Sequence, residues 1–218
     1  MKYPDSRLLI FARAPAPGHV KTRLIPLLGK TAAARLHAEL VTATLDKTTG
    51  AGLCAVDLWC SPDTANPFFR QCRDRFGVIL HRQAQGDLGR RMSSAMAAAL
   101  ESSTAVILAG TDIPALEAAD IDAACAALTG GYDAVLGPAV DGGYYLIGLR
   151  AHHAALFESI PWGTAGVLGA TLACMRRLGL RCHQLTQRRD VDTPDDYHWY
   201  AREMQAGHFS GFPPRLDR

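Results

Sequence analysis

The stretch AVILAGTDIPAL, residues 105–116, decides the fold that the sequence predicts. Its first five residues are apolar and rich in Val, Ile and Leu, which is typical of a strand buried on both faces of a parallel sheet. The strand runs into a Gly-Thr pair and then Asp112, and Pro114 prevents regular structure from continuing at once. Ligands of open α/β sheets collect just outside the carboxyl ends of the strands. Asp112 is therefore a candidate ligand for a divalent metal that carries a phosphorylated molecule, and the alternative is that it only caps the following turn.

Short apolar runs alternate with helical segments on both sides of this stretch. The predicted strands are 7–12, 54–60, 78–80, 105–109, 132–137, 144–149 and 181–185. The predicted helices are 31–50, 67–76, 90–100, 120–128, 164–178 and one that begins at Thr193-Pro194, with Thr31 and Asp120 as expected caps. This alternation predicts an α/β protein with a mostly parallel sheet and crossover helices.

Length and composition fit one α/β domain over residues 1–218, since 48% of the residues are apolar and 20% are charged. The net charge of +2 and the scattered Lys and Arg residues predict no nucleic-acid partner. Leu8–Ala12 is too short for the hydrophobic region of a signal peptide, and no apolar run reaches membrane-spanning length. The six cysteines form no CxxC pair, which favours reduced thiols over a zinc or disulfide framework. We therefore expect a cytoplasmic protein without a membrane partner.

A stiff basic loop follows the first predicted strand. It has the sequence RAPAPGHVKTRL and contains the cations Arg13, Lys21 and Arg23, with Gly18 able to bring backbone close to a ligand. Backbone donors and guanidinium groups in one loop are what a diphosphate or triphosphate needs. The loop is not a P-loop, because that motif requires glycine where this chain has Pro15 and Val20. The alternative is a solvated charged loop.

Two segments of the second half carry further carboxylates. Asp141-Gly142-Gly143 is a tight turn before the run at 144–149, where aspartate is also common for purely local hydrogen bonds. Asp190 and Asp192 flank one valine just before Thr193-Pro194. In an extended segment these two side chains point the same way, so a cation could lie between them and Asp112.

These motifs resemble the GT-A-fold nucleotide-diphospho-sugar transferase superfamily, and more closely the bacterial radical-SAM/selenodomain-associated transferases, a group of glycosyltransferases. The matching motifs are FARAPAPGHVKTRL at 11–24, GDLGRRM at 86–92, GTDIPAL at 110–116, GPAVDGGYYLIGL at 137–149, IPWGT at 160–164 and DVDTPDD at 190–196. The resemblance implies a three-layer α/β/α Rossmann-like GT-A fold. Two positions depart from the group: Arg13 replaces a common lysine, and Arg90 stands where an acid is expected.

The resemblance also implies roles for particular residues. Lys21 and Asp141 would be catalytic, and Asp112 and Asp192 would hold Mg²⁺ or Mn²⁺. The nucleotide-binding residues that it implies are Arg13, Gly18, Lys21, Arg23 and Asp87. The substrate-binding residues that it implies are Asp141, Gly142, Gly143 and Tyr144.

Two chemistries share this scaffold. The resemblance favours a metal-dependent glycosyltransferase that moves a sugar from a nucleotide-diphospho-sugar to a small-molecule acceptor. The alternative is a nucleotidyltransferase that releases pyrophosphate from a nucleoside triphosphate, because the tetrad KTRL at 21–24 also occurs in phospholactate guanylyltransferases and Lys30 could hold the attacking phosphate. A third hypothesis is a nucleotide sensor without activity, which would have no reason to keep two carboxylates opposite three cations.

Overall fold

Seven strands form one mixed sheet in the computed structural model, which describes residues 1–209. The strands are β1 Ser6–Arg13, β2 Ala55–Ser61, β3 Ile79–Arg82, β4 Ala105–Ala109, β5 Ala134–Pro138, β6 Tyr144–Leu149 and β7 Cys182–Gln184. Their order across the sheet is β3-β2-β1-β4-β6-β5-β7. Strand β6 runs antiparallel to β4 and β5, whereas the other neighbouring pairs are parallel. The predicted α/β class with a mostly parallel sheet is confirmed.

Helices cover both faces of the sheet. They are α1 Ile25–Gly50, α2 Pro67–Phe76, α3 Leu88–Leu100, α4 Ala118–Thr129, α5 Val167–Arg177 and α6 Pro194–Gln205. Alternate residues of β1 point to opposite faces, so Leu8 joins a core with α1, α2 and α4, whereas Leu9 joins a core with α3 and α5. Helix α6 packs on α1 through a third apolar cluster. This is the expected three-layer α/β/α arrangement, and no helix within residues 1–209 is both long and apolar enough to cross a membrane.

The strand order creates a crevice beside β1. From β1 the chain first adds β2 and β3 on one side and then returns to place β4 on the other. At such a point the connections leave in opposite directions and open a ligand crevice at the carboxyl ends of the strands. All five residues of β4 are buried, as its apolar sequence predicted. The loop after β1 and the segment that begins at Gly110 therefore meet at this crevice.

Four helix starts differ from the prediction. Helix α3 begins at Leu88 rather than at residue 90, because Asp87 caps it. Helix α1 begins at Ile25 rather than after Thr31, because Pro26 suits a first helical turn; Gly29, at φ 79° and ψ 161°, then interrupts the helix. Helix α4 begins at Ala118, and the Asp120 carboxylate accepts a hydrogen bond from the backbone N–H of Glu117 at 2.9 Å instead of being the cap residue itself. Helix α5 begins at Val167, because Thr164 is held in the preceding turn, where its Oγ1 accepts from Gly166 N.

Candidate active site

A cleft of about 580 Å³ lies at the crevice between the ends of β1 and β4. The loop from Arg13 to Arg23 forms one wall, and the segment from Gly110 to Asp112 forms the floor. The turn after β5 and the segment before α6 close the other side through Asp141 and Asp192. The volume is within the range of pockets that hold small molecules and cofactors.

Lys21 has an unusual backbone conformation in the basic loop. Its backbone is left-handed, with φ 47° and ψ 43°, a conformation that residues other than glycine rarely adopt. Buried Val20 and Leu24 anchor the chain on either side. Such strain persists only where the surroundings impose it, and here it directs the side chain inward.

The Lys21 ammonium lies between the two carboxylates that the sequence proposed as metal ligands. Its Nζ is 2.5 Å from Asp112 Oδ1 and 2.8 Å from Asp192 Oδ1. The Lys21 side chain is only 3% exposed, whereas those of Asp112 and Asp192 are 42% and 41% exposed. Asp112 Oδ1 is buried against the ammonium, so the exposed remainder of that side chain faces the cleft. The backbone N–H of Val191 donates to the Asp112 carbonyl at 2.9 Å and ties the two segments together.

Mutual attraction decides the charge state of this group. Burial lowers the pKa of Lys21, but the two carboxylates outweigh it and raise the pKa above its ordinary value. Burial likewise opposes ionisation of Asp112, but the Lys21 charge prevails and holds the pKa of Asp112 below its usual range. One ammonium and two carboxylates have a formal charge of −1, which leaves the group attractive to a further cation.

The two carboxylates suit a metal that arrives with phosphates. Within residues 1–209, no three His, Cys, Asp or Glu side chains are grouped so as to hold a metal ion by themselves. Mg²⁺ typically binds through one or two carboxylates and completes its coordination with water and substrate phosphate oxygens. Asp112 and Asp192, both open to the cleft, are a donor set of that kind.

His37 of α1 lies beside Asp112, and the sequence analysis missed it. The imidazole is buried; its Nε2 is 2.9 Å from the Arg13 carbonyl oxygen, which can only accept, so Nε2 carries the proton. Its Nδ1 is 3.9 Å from Asp112 Oδ1. Burial lowers the pKa of His37 despite the nearby carboxylate, which keeps the ring neutral at physiological pH. A single histidine in an alanine-rich helix gives no local signal of such a position.

Two further residues that the sequence analysis missed, Gln83 and Arg91, lie at the β1–β3 end of the cleft. Gln83 is buried, and its Nε2 donates to the carbonyl oxygens of Ala12 at 3.3 Å and Trp59 at 2.8 Å. Its Oε1 accepts from the Arg91 guanidinium at 3.3 Å. Burial, together with the charge of Arg13, lowers the pKa of Arg91. The spacing of Leu88, Arg91 and Met92 on one helical face could have indicated that Arg91 lines the cleft.

The opposite end of the cleft is acidic and aromatic. The Asp141 carboxylate accepts from the Gly143 N–H at 2.8 Å, which holds it in the turn before β6. Asp190 lines the same end, and burial followed by the charges of Asp141 and Asp192 raises its pKa to about 6. Tyr144 and Trp162 meet edge to face, with ring centroids 6.2 Å apart.

Several predicted site residues lie outside the cleft lining. Asp87 is the N-cap of α3, where its carboxylate accepts from Arg90 N at 2.8 Å, so its local role is capping. Gly18, at φ 86°, occupies a turn. Gly142, at φ 89°, faces the Ala165 backbone so closely that a Cβ would lie 2.3 Å from the Ala165 carbonyl oxygen. The predicted site residues that line the cleft are Arg13, Lys21, Arg23, Asp112, Asp141, Gly143, Tyr144 and Asp192.

Comparisons with known proteins agree with this architecture. The family described as "uncharacterized protein conserved in bacteria (DUF2064)" matches residues 44–164, more than half of the chain. A solved structure from Desulfovibrio desulfuricans G20, provisionally described as a nucleotide-diphospho-sugar transferase, is 32% identical and has a TM-score of 0.86. That alignment covers 98% of this chain and 94% of the other. No curated protein sequence matches the chain.

More distant structures share the fold. The 4-diphosphocytidyl-2C-methyl-D-erythritol synthase of Anaerococcus prevotii DSM 20548 is 10% identical over 93% of this chain and 99% of its own, with a TM-score of 0.63. The glucosyl-3-phosphoglycerate synthase of Mycobacterium tuberculosis, in complex with Mn²⁺, UDP and glucosyl-3-phosphoglycerate, is 13% identical over 93% of this chain and 78% of its own, with a TM-score of 0.56. The fold and the similar structures define a transferase of the nucleotide-diphospho-sugar transferase-like class. Within that class, the chain belongs to the DUF2064 family.

Proposed function

We propose that the protein is a metal-dependent glycosyltransferase that moves a sugar from a nucleotide-diphospho-sugar to a small-molecule acceptor. In this proposal it is one of the radical-SAM/selenodomain-associated transferases. The observation that carries the proposal is the placement of Asp112 and Asp192, which are open to the cleft beside a cluster of guanidinium groups. Such a cleft matches a ligand that combines a diphosphate with a divalent cation.

Asp112 and Asp192 would hold Mg²⁺ or Mn²⁺. When bound, that cation supplies charge neutralisation for the departing diphosphate. Lys21 contacts both carboxylates and carries its charge on a flexible stem. Its ammonium can therefore remain with a carboxylate or turn to a phosphate oxygen, which fits the catalytic role predicted for it.

Arg13, Arg23 and Arg91 would bind the phosphates. All three line the cleft, and within residues 1–209 none of them forms an ion pair with a carboxylate. The Arg13 guanidinium has a single weak bond to the His19 carbonyl oxygen at 3.3 Å. Guanidinium groups that keep free donors are suited to bidentate binding of phosphate oxygens.

Asp141 would receive the proton of the acceptor hydroxyl. In the transfer, the acceptor oxygen bonds to the anomeric carbon, and the bond from that carbon to the β-phosphate oxygen breaks. The electron pair of the broken bond leaves with the nucleoside diphosphate, and the hydroxyl proton passes to the Asp141 carboxylate. The Gly143 N–H, 2.8 Å from Asp141 Oδ1, orients the carboxylate for this task.

Nucleotidyl transfer is the second candidate. Three guanidinium groups in one cleft are enough to bind a triphosphate, which favours it. Against it, Lys30, the residue expected to hold the attacking phosphate, is exposed, and it does not line the cleft. Its aliphatic stem instead lies beside Gly18, where an added Cβ would be 3.6 Å from Lys30 Cδ.

Release of nucleoside diphosphate from a panel of nucleotide-sugars, without an acceptor, tests the proposal. Slow transfer to water should depend on Mn²⁺ or Mg²⁺. Asp112→Asn keeps the size of the side chain, and it should weaken metal-dependent nucleotide binding by about 10–100-fold. Asp195→Asn, at an exposed position of α6, is the matched control and should leave binding unchanged. Pyrophosphate release from a triphosphate and a phosphorylated acceptor would instead establish nucleotidyl transfer.

A further inference from the structure

The charges that line the cleft are segregated. Its Lys and Arg side chains are Arg13, Lys21, Arg23 and Arg91, all contributed by the chain before β4. Its acidic side chains are Asp112, Asp141, Asp190 and Asp192, all contributed by the chain after β4. The contact of Lys21 with Asp112 and Asp192 marks the boundary between the two ends.

The acidic end has no spare cation within the described residues. Arg188 and Arg189 are close in sequence to Asp190, but neither lines the cleft. The Arg188 guanidinium is paired with Asp120 at 2.9 Å, and that of Arg189 is paired with Asp196 at 2.8 Å. Lys21 is already shared by two carboxylates. A phosphate or carboxylate group placed at this end would therefore face Asp141 and Asp190 without a compensating charge.

The wall beside the two carboxylates is aromatic and uncharged. Tyr144, Trp162, Gly163 and Thr164 form it; the buried Tyr144 hydroxyl lies beside Thr171 of α5, and the Trp162 indole lies against Gly89 of α3. Aromatic rings with neighbouring acceptor oxygens suit a molecule that has apolar C–H faces and hydroxyl donors. Carboxylates accept such donors directly.

We infer that the acceptor is a hydroxyl-bearing molecule without phosphate, sulfate or carboxylate groups. This inference rests on the proposed function, because it assigns the cationic end of the cleft to the donor diphosphate and the acidic end to the acceptor. Like charges that approach without screening in a partly buried cleft weaken binding steeply. An acceptor that carries a phosphate is thereby rejected at the end of the cleft where it must bind.

Matched acceptor pairs test the inference directly. Glycerol and glucose are each compared with their own phosphate esters in the nucleoside diphosphate release assay. The uncharged member of a pair should accelerate release, and its phosphate ester should be weaker by about tenfold or more. A phosphate ester that exceeds its parent alcohol would overturn the inference while leaving glycosyl transfer intact.

A probe experiment decides the question when none of these compounds is an acceptor. Three nitroxides of one size, with a carboxylate, a hydroxyl or an ammonium group, are added to fluorotryptophan-labelled protein saturated with nucleoside diphosphate and Mg²⁺. Relaxation of the Trp162 fluorine signal should be weakest with the carboxylate probe. Asp190→Asn should reduce the difference between the probes.

Trp199 provides the internal control. It stacks under the Arg189 guanidinium at 5.2 Å and lies outside the cleft lining, so its signal should respond at least as strongly to the carboxylate probe as to the ammonium probe. Equal relaxation of Trp162 by the carboxylate and ammonium probes would overturn the inference. Failure of the protein to bind nucleoside diphosphate would contradict the proposed function. In that case the relaxation of Trp162 by the three probes, measured without nucleotide, would still test the charge of the acidic end.

Discussion

Replacing Lys21 with methionine removes the ammonium and keeps most of the side-chain volume. In the native protein, Nζ is 2.5 Å from Asp112 Oδ1 and 2.8 Å from Asp192 Oδ1. The two oxygens are therefore at most about 5 Å apart, where unit charges repel by about 3 kcal/mol at an effective dielectric constant of about 20. Both carboxylates are about two-fifths exposed, and water screens part of this repulsion. We expect Lys21→Met to lower the free energy of unfolding by about 1–2 kcal/mol in metal-free buffer.

A divalent cation should relieve the same repulsion. Mn²⁺ should bind Lys21→Met about tenfold more tightly than the native protein, and it should restore much of the lost stability. Urea unfolding with and without Mn²⁺, together with titration calorimetry, measures both effects. Arg23→Met is the control, because it removes a cation of the same loop that is exposed and contacts neither carboxylate. Unchanged stability and unchanged Mn²⁺ affinity in Lys21→Met would refute the view that this ammonium is the internal counter-ion.

The other predictions concern α3 and α6. Asp196→Asn should cost about 2 kcal/mol, because the carboxylate accepts from Thr193 N at 2.9 Å and from Thr193 Oγ1 at 2.6 Å, whereas Asp195→Asn, exposed in the same turn, should stay within about 0.5 kcal/mol in urea unfolding. Burial opposes ionisation of Asp196, but the Thr193 donors outweigh it and lower the pKa of this carboxyl. The native protein should therefore exceed Asp196→Asn in free energy of unfolding by the full amount near neutral pH, and this difference should disappear as pH falls below about 4. Arg91→Gln should weaken nucleoside diphosphate binding by about tenfold or more without affecting nucleosides, and Arg90→Gln, outside the cleft lining, should change neither affinity in calorimetry. Equal losses from Arg90 and Arg91 would show that the cleft is misidentified.

Local signals in the sequence were sufficient for much of the secondary structure. Asn66 caps α2 by accepting from Phe68 N at 2.9 Å, and Gly77 ends that helix at φ 69°, which gives the predicted bounds of 67–76. Thr193 and Pro194 begin α6 in the same manner. These signals are readable because a cap or a breaker acts within one turn of chain. Where a signal was ambiguous, as at Thr31 before α1, the predicted start was wrong.

The sequence also indicated which end of the sheet carries the candidate site. Asp112 directly follows a buried strand and the basic loop directly follows the first strand, and both line the cleft, as expected for carboxyl ends of parallel strands. Arg91 and His37 lie on helices, so the ends of the strands did not reveal them. Arg91 had a signal only in its helical spacing with Leu88 and Met92, and His37 had no local signal. Asp87 caps α3, and its predicted nucleotide contact stays a prediction, since a single aspartate before a helix fits both roles locally.

Only the tertiary structure decided how the charges are paired. Lys21 contacts Asp192, 171 residues away along the chain, because β1 and β4 are neighbours in the sheet and Val191 is hydrogen-bonded to Asp112. The sequence by itself determined which residue types follow which strands. Strand order, the antiparallel insertion of β6 and the burial of the Lys21 ammonium depend on contacts across the whole chain, and local propensity carries no information about them.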